Sequence, residues 1–328
     1  MALKNWTQLI AIILVTIMFA IAEAIGELEI IFPEIAALAL GFWIMERSPW
    51  PGPKYAIWAS PTLAALTGVL LLRYAPAPQF VLIGSAFCLV VLQLKLLRSA
   101  VLPSLSASIL PIITHTTSWL YPLSVGVLTV IIAFGRFSLE ALDHKEPLTN
   151  PSTDNVRQRE AGNTILAEFT YWGKIVAGVL LVTALALQSS YLFLIAPPLM
   201  VGFVEISRPN RTLRNAPVKI LLLLFLSATV GVAWLYLIST VLHGSLWLFS
   251  GLTLVSVFLL YEALRVSFPP AAAIALLPVL VPTAYLWSYP LHVLAGSTLF
   301  ILMGMYWFRE SSVTANGASE KVVVQPEG

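Results

Sequence analysis

From Trp6 to Ile25 the chain runs twenty residues in which Glu23 is the one charge, and comparable apolar runs recur eleven more times. They lie at about 30–45, 57–73, 79–97, 100–116, 119–135, 165–186, 189–205, 217–240, 245–263, 268–283 and 289–308. A helix needs about 20 mostly apolar residues to cross a hydrocarbon core of about 30 Å. Composition removes the alternative. Only 10% of the 328 residues are charged and 59% are hydrophobic, where a soluble domain carries about 25% charge, so the surface of a soluble globule could not be solvated. One cysteine, Cys88, excludes a disulfide scaffold. The first run is long and has no small-x-small site closing it, so it reads as a span rather than a signal peptide. The sequence therefore specifies an all-α polytopic membrane protein of about 12 hydrophobic helices, with the lipid bilayer as its first partner.

Between Arg136 and Asn163 the chain turns polar and mixed in charge, RFSLEALDHKEPLTNPSTDNVRQREAGN. This divides it into a first membrane repeat (1–136), a cytoplasmic linker (137–163), a second membrane repeat (164–308) and a mobile cytoplasmic tail (309–328). With the N-terminus inside and every element crossing, all Lys and Arg residues except Arg73 fall on one side. Excess Lys and Arg marks the cytoplasmic face. Both termini and the linker are thus expected in the cytoplasm, in a membrane of the bacterial inner (plasma) type.

The two halves resemble each other. Pro103 and Pro111 are spaced like Pro270 and Pro278, and each pair precedes a W-x-Y-P-L motif, at Trp119–Leu123 and Trp287–Leu291. Upstream, IFPEIAALALGFWIMERSPW from Ile31 pairs loosely with IAPPLMVGFVEISRPN from Ile195. Prolines and aromatics recur in any membrane protein, but two motifs in one register point to duplication. Six elements per half give a parallel repeat, two pseudo-symmetric six-helix halves. Re-entry of the elements at 100–116 and 268–283 would instead invert it. In transporters built from repeats, the site commonly lies at the repeat interface near the midplane.

Elements two, five, eight and eleven carry proline near one end: Pro33, Pro103, Pro197-Pro198 and Pro269-Pro270. Proline suits a first helical position, so these read as short or broken helices starting within the membrane. A helix N-terminus favours an anion. The small residues just inside, Ser104, Ser106, Ser108 and Ala271, permit close approach of a ligand or, equally, ordinary small-residue packing. Glu34 follows Pro33 directly. It is either a proton or cation ligand or a first-turn acid that favours the helix dipole.

Catalytic constellations do not occur. The histidines (His115, His144, His243, His292) are scattered without metal-ligand spacing, and there is no phosphate loop or dinucleotide fingerprint. A net charge of +2 leaves no nucleic-acid footprint. The expectation is no enzyme, no cofactor, no metal site and no nucleic-acid partner; homo-oligomerisation stays open.

The proline segments resemble the HPP family of integral membrane proteins, named for a His-Pro-Pro motif that runs into small and apolar residues. Phe268-Pro269-Pro270-Ala271-Ala272-Ala273-Ile274-Ala275-Leu276-Leu277 is similar to it, as are Ile195-Ala196-Pro197 and Arg208-Pro209 to segments upstream. The resemblance covers about 190–305, and 30–137 more weakly. Here Phe268 replaces the histidine, which removes any role that depends on it. The family has members implicated in nitrite transport, so the resemblance implies a carrier or channel for a small anion. A non-transporting scaffold or assembly subunit is the alternative.

Overall fold

The computed structural model describes residues 2–142, 161–189, 191–208 and 212–308 (backbone only at 2–5 and 161–166). Most of the assigned linker (143–160) and the assigned tail (309–328) fall outside these residues. Among the described residues every regular element is helical, in twelve helices.

Eight are long and apolar enough to cross a membrane: α1 (Ala2–Ile25), α3 (Ala56–Tyr74), α4 (Gln79–Leu96), α6 (Leu120–Ala141), α7 (Ala161–Gln188), α9 (Pro217–Leu235, extended by a π turn to Val241), α10 (Leu246–Leu264) and α12 (Tyr289–Trp307). They fit an integral membrane protein. Their outer faces are apolar and uncovered: Ile10, Ile13, Ile17 and Ile21 form such a stripe on α1, opposite the buried Ala11, Val15, Met18 and Ala22. That three-and-four spacing is the helical period, with the uncovered stripe suited to lipid.

The other four are short. They are α2 (Glu34–Ala39, continued by a π turn Leu40–Ile44), α5 (Pro103–Thr114), α8 (Pro197–Ser207) and α11 (Pro270–Leu276, continued by a 3-10 turn Leu277–Leu280). At about 1.5 Å per residue each rises only some 15–18 Å, too little to cross a membrane as helix alone. All four lie almost wholly buried at the centre. α5 packs on α8, α8 on α11, α11 on α2 and α2 on α5, so they close a ring that the long helices surround. The chain order is long, short, long, long, short, long, and then the same again.

The short helices have recognisable causes. Proline begins α5, α8 and α11 and caps α2, where its missing N–H costs nothing. α5 ends at His115, whose φ of 56° lies in the left-handed region. A second proline interrupts each of two segments: Pro111 in α5, and Pro278 in the turn after α11. A proline inside a helix frees the carbonyl four residues earlier. Here Tyr121 Oη donates to Ala107 O at 2.9 Å and Tyr289 Oη to Ile274 O at 2.8 Å. Those are the two freed carbonyls, and the tyrosines belong to the W-x-Y-P motifs. The recurring motif thus repairs the break that the recurring proline makes.

The short segments keep pace with their long neighbours. Ser124 Oγ donates to Ile30 O, Arg136 Nη1 to Phe42 O, and Lys54 pairs with Glu140 at 2.9 Å, so residues 30–54 run beside α6 over most of its length. Ser60 bonds Ser99 and Arg73 bonds Thr117 O, so α5 and its flanks run beside α3. α6 itself runs on to Ala141, beyond the apolar run ending near 135. Arg136 is only 2% exposed because it reaches Phe42 O and pairs with Glu140 one turn later. Glu168 on α7 pairs with Lys95 on α4, and Lys174 Nζ donates to Trp307 O.

Candidate functional site

The first turns of the four short helices meet. Glu34 and Ala37 of α2, Pro103 of α5, Pro198 and Val201 of α8, and Pro270 and Ala273 of α11 line one internal cavity, together with Trp50. In α2, α8 and α11 the lining pair is the first-turn residue and the one three further on, which share a helix face. Its volume is about 10 Å³, room for about one water molecule.

Glu34 is the one ionisable residue on this wall. It is 1% exposed. Its Oε1 accepts from Ser106 Oγ, while its Oε2 has no partner. A buried carboxylate lacking a cation costs several kcal/mol unless hydrogen bonds offset it, and no basic side chain lines the cavity. The aromatic hydroxyls nearby, Tyr121 and Tyr289, are already committed to Ala107 O and Ile274 O.

The sequence-derived candidates divide. Glu34, Pro103, Pro198 and Pro270 line the cavity, and Ser106 reaches it through Glu34. Pro33 immediately precedes α2, and Pro197 and Pro269 likewise sit one residue before their cavity-lining prolines. Ala271 is buried off the wall, and Ala273 takes its place. Ser108 Oγ turns back onto Leu105 O, and Ser104 Oγ is buried with no hydrogen-bond partner. Ala37, Val201 and Ala273 were not among the candidates; a helical step of three from Glu34, Pro198 and Pro270 would have found them. Trp50 was not, because it enters from the 45–55 loop, where no periodicity guides.

Trp50 brings the 45–55 loop to the cavity wall. Its Nε1 donates to Glu205 Oε1 at 2.9 Å, and its ring packs 5.6 Å from Phe42. Arg208, just past α8, donates to Pro49 O. Loop 45–55 is thereby fastened to the end of α8. A separate open hollow lies at the other end of α5, bordered by Gln79, Ile112 and His115.

The electrostatics of the centre come mainly from the helices themselves. The N-termini of α5 and α8 aim partial positive charge at the middle. Their prolines have no N–H, and early amides are used by the turns before them: Ser104 and Leu105 donate to Val101 O and Leu102 O, and Leu199 to Ala196 O. The wall therefore offers a favourable field to negative charge with few free donors. Among the described residues no group of three His, Cys, Asp or Glu is placed to hold a metal. Comparison with protein-family models, curated proteins and solved structures finds no match to this chain.

Proposed function

We propose that the protein is a membrane transporter or channel for a small anion, nitrite-like in size, which passes between two pseudo-symmetric halves. One observation carries the reading: the first turns of all four short helices line a single buried cavity at the centre of a helical membrane protein. Backbone that is broken at membrane depth is tolerated where it faces protein or a water-filled path. Room for about one water admits only a small solute. The helix ends of α5 and α8 favour negative charge. The HPP-like proline segments point the same way.

The halves are supported by contacts that recur between them. The proline–tyrosine repair occurs at Pro111/Tyr121 and again at Pro278/Tyr289. A Cβ at Gly68 would collide with Ser108 O, and one at Gly231 with Ala275 O. Gly135 approaches Trp43 and Gly304 approaches Ile206. The segments holding α2, α5 and α8 each accompany a long helix over most of its length, which favours crossing over re-entry and hence a parallel repeat. The end that gathers Lys54, Lys95, Lys174, Arg208 and Arg214 is the cytoplasmic one in this reading.

Tight packing around the cavity favours a second reading, a scaffold or assembly subunit that moves nothing. Reconstitution separates them. Purified protein in liposomes is assayed with nitrite, nitrate, formate and chloride against empty vesicles. Saturable, protein-dependent flux supports transport. No flux of any of them from folded protein supports the scaffold.

A further inference from the structure

The central cavity is polar on one side only. α2 and α5 bring Glu34 and Ser106 to it. At the corresponding places in the second half, α8 and α11 bring Pro198 and Ala273. The first half is therefore paired with an internal control. An apolar version of the same two-helix contact packs in the same molecule, so packing alone does not call for a carboxyl there. A buried ion pair or carboxyl is commonly replaceable by apolar residues without loss of stability. Intramembrane acids, in contrast, mark proton and ion pathways.

We propose that Glu34 is the proton-binding site of the transport path, so that one proton enters the central cavity with each anion. This rests on the transport reading above. Ionised, Glu34 places its own negative charge in a cavity with room for about one water, and it excludes a second anion by repulsion and by volume. Protonated, it leaves the field of the α5 and α8 termini to the solute, and its unpartnered Oε2 becomes able to donate to it. The step is proton transfer alone: the carboxylate gains a proton from the side the solute enters and releases it on the other.

The groups around it leave Glu34 as the titrating member. α5 presents Ser104 and Ser106, α6 presents Tyr121, and α12 presents Tyr289, each tyrosine bonded to a carbonyl. α1 turns Met18 toward Phe32, and the first turns of α8 and α11 bring Pro198, Val201, Pro270 and Ala273. The next acid is Glu205, farther along α8 behind the Trp50 indole, and the nearest cation on α6 is Arg136, held by Phe42 O and Glu140.

The test uses the full chain in liposomes, with nitrite and nitrate as probes and a proton gradient of about one pH unit. Coupling of one proton per anion accumulates the anion about tenfold, since a tenfold concentration ratio and a tenfold proton ratio balance in free energy. Nitrate cannot cross as its neutral acid, so its accumulation reports coupling without leak. Wild type is expected to concentrate the anion. Glu34→Gln is expected to pass it down its own gradient only, with no proton uptake. Equal accumulation by Glu34→Gln overturns the proposal, as does wild-type flux that ignores the gradient; both leave the transport reading standing. If neither anion moves in wild type, formate and chloride are run in the same gradient; if none of the four moves, the transport reading fails, and infrared spectra still test Glu34 as a proton-binding site. A protonated carboxyl band present in wild type, absent in Glu34→Gln and lost as the pH is raised is expected. A band that does not respond to pH overturns the proposal. Should Glu34→Gln not fold, Ser106→Ala removes the carboxyl's hydrogen bond and must displace the pH profile of the band; an unmoved profile counts against it.

Discussion

Two tyrosines show how a buried defect is made affordable. Pro111 and Pro278 each strand a carbonyl in the core, and Tyr121 and Tyr289 each supply the donor that the proline removed. Tyr121→Phe and Tyr289→Phe keep the ring and lose the donor, so each leaves a buried carbonyl unsatisfied. The expected loss is about 1–3 kcal/mol for either, read as matched falls in thermal midpoint. A fall in only one of them would deny the two sites a common role. The W-x-Y-P motif was visible in the sequence as a repeat, but its task was not. A hydroxyl fourteen or fifteen residues from its acceptor belongs to tertiary structure, which spacing does not encode. Glu34 was legible as an intramembrane acid beside a proline. Its bond to Ser106, 72 residues away, was not.

At the scale of elements, the prolines announced the short helices, and the boundaries of α5, α8 and α11 follow them. The runs at 30–45, 100–116, 189–205 and 268–283 looked long enough to approach a span because apolar turns and loops flank each short helix. Hydropathy counts residues and does not see where helix gives way to turn. Pro103→Ala with Pro270→Ala tests whether these starts shape the path. Flux is expected to fall about tenfold, a barrier change of about 1.4 kcal/mol, with the thermal midpoint within about 3 °C of wild type. Unchanged flux from the folded double variant would remove the prolines from the path. The glycines give a second test. Gly68 and Gly231 face backbone carbonyls of α5 and α11, whereas Gly173 on α7 has open space beside it. Gly68→Ala and Gly231→Ala are each expected to destabilise by about 1–3 kcal/mol or more. Gly173→Ala, relieved of glycine's helix penalty, is expected to be neutral or to stabilise by up to about 1 kcal/mol. Equal tolerance at all three positions would contradict the close approaches.

The whole molecule places its short helices inside and its long ones outside, so lipid meets apolar stripes and the breaks in backbone meet only protein. The succession of long and short elements, the glycine contacts and the tyrosine repairs each recur along the chain, and four proline-marked first turns meet at one point. The sequence carried the membrane class, the candidate halves and four of the eight residues that line that point. It did not carry the place of Trp50 on the wall, because a loop that folds back under a helix bundle leaves no periodic mark. The central claim is that this point lies on a path for a small anion. The most direct measurement is the flux of nitrite, nitrate, formate and chloride into liposomes holding the purified protein, compared with empty vesicles. Saturable flux of at least one anion, lost on filling the cavity with Ala273→Phe in a folded variant, is the predicted result. Folded wild-type protein that moves none of the four would contradict it.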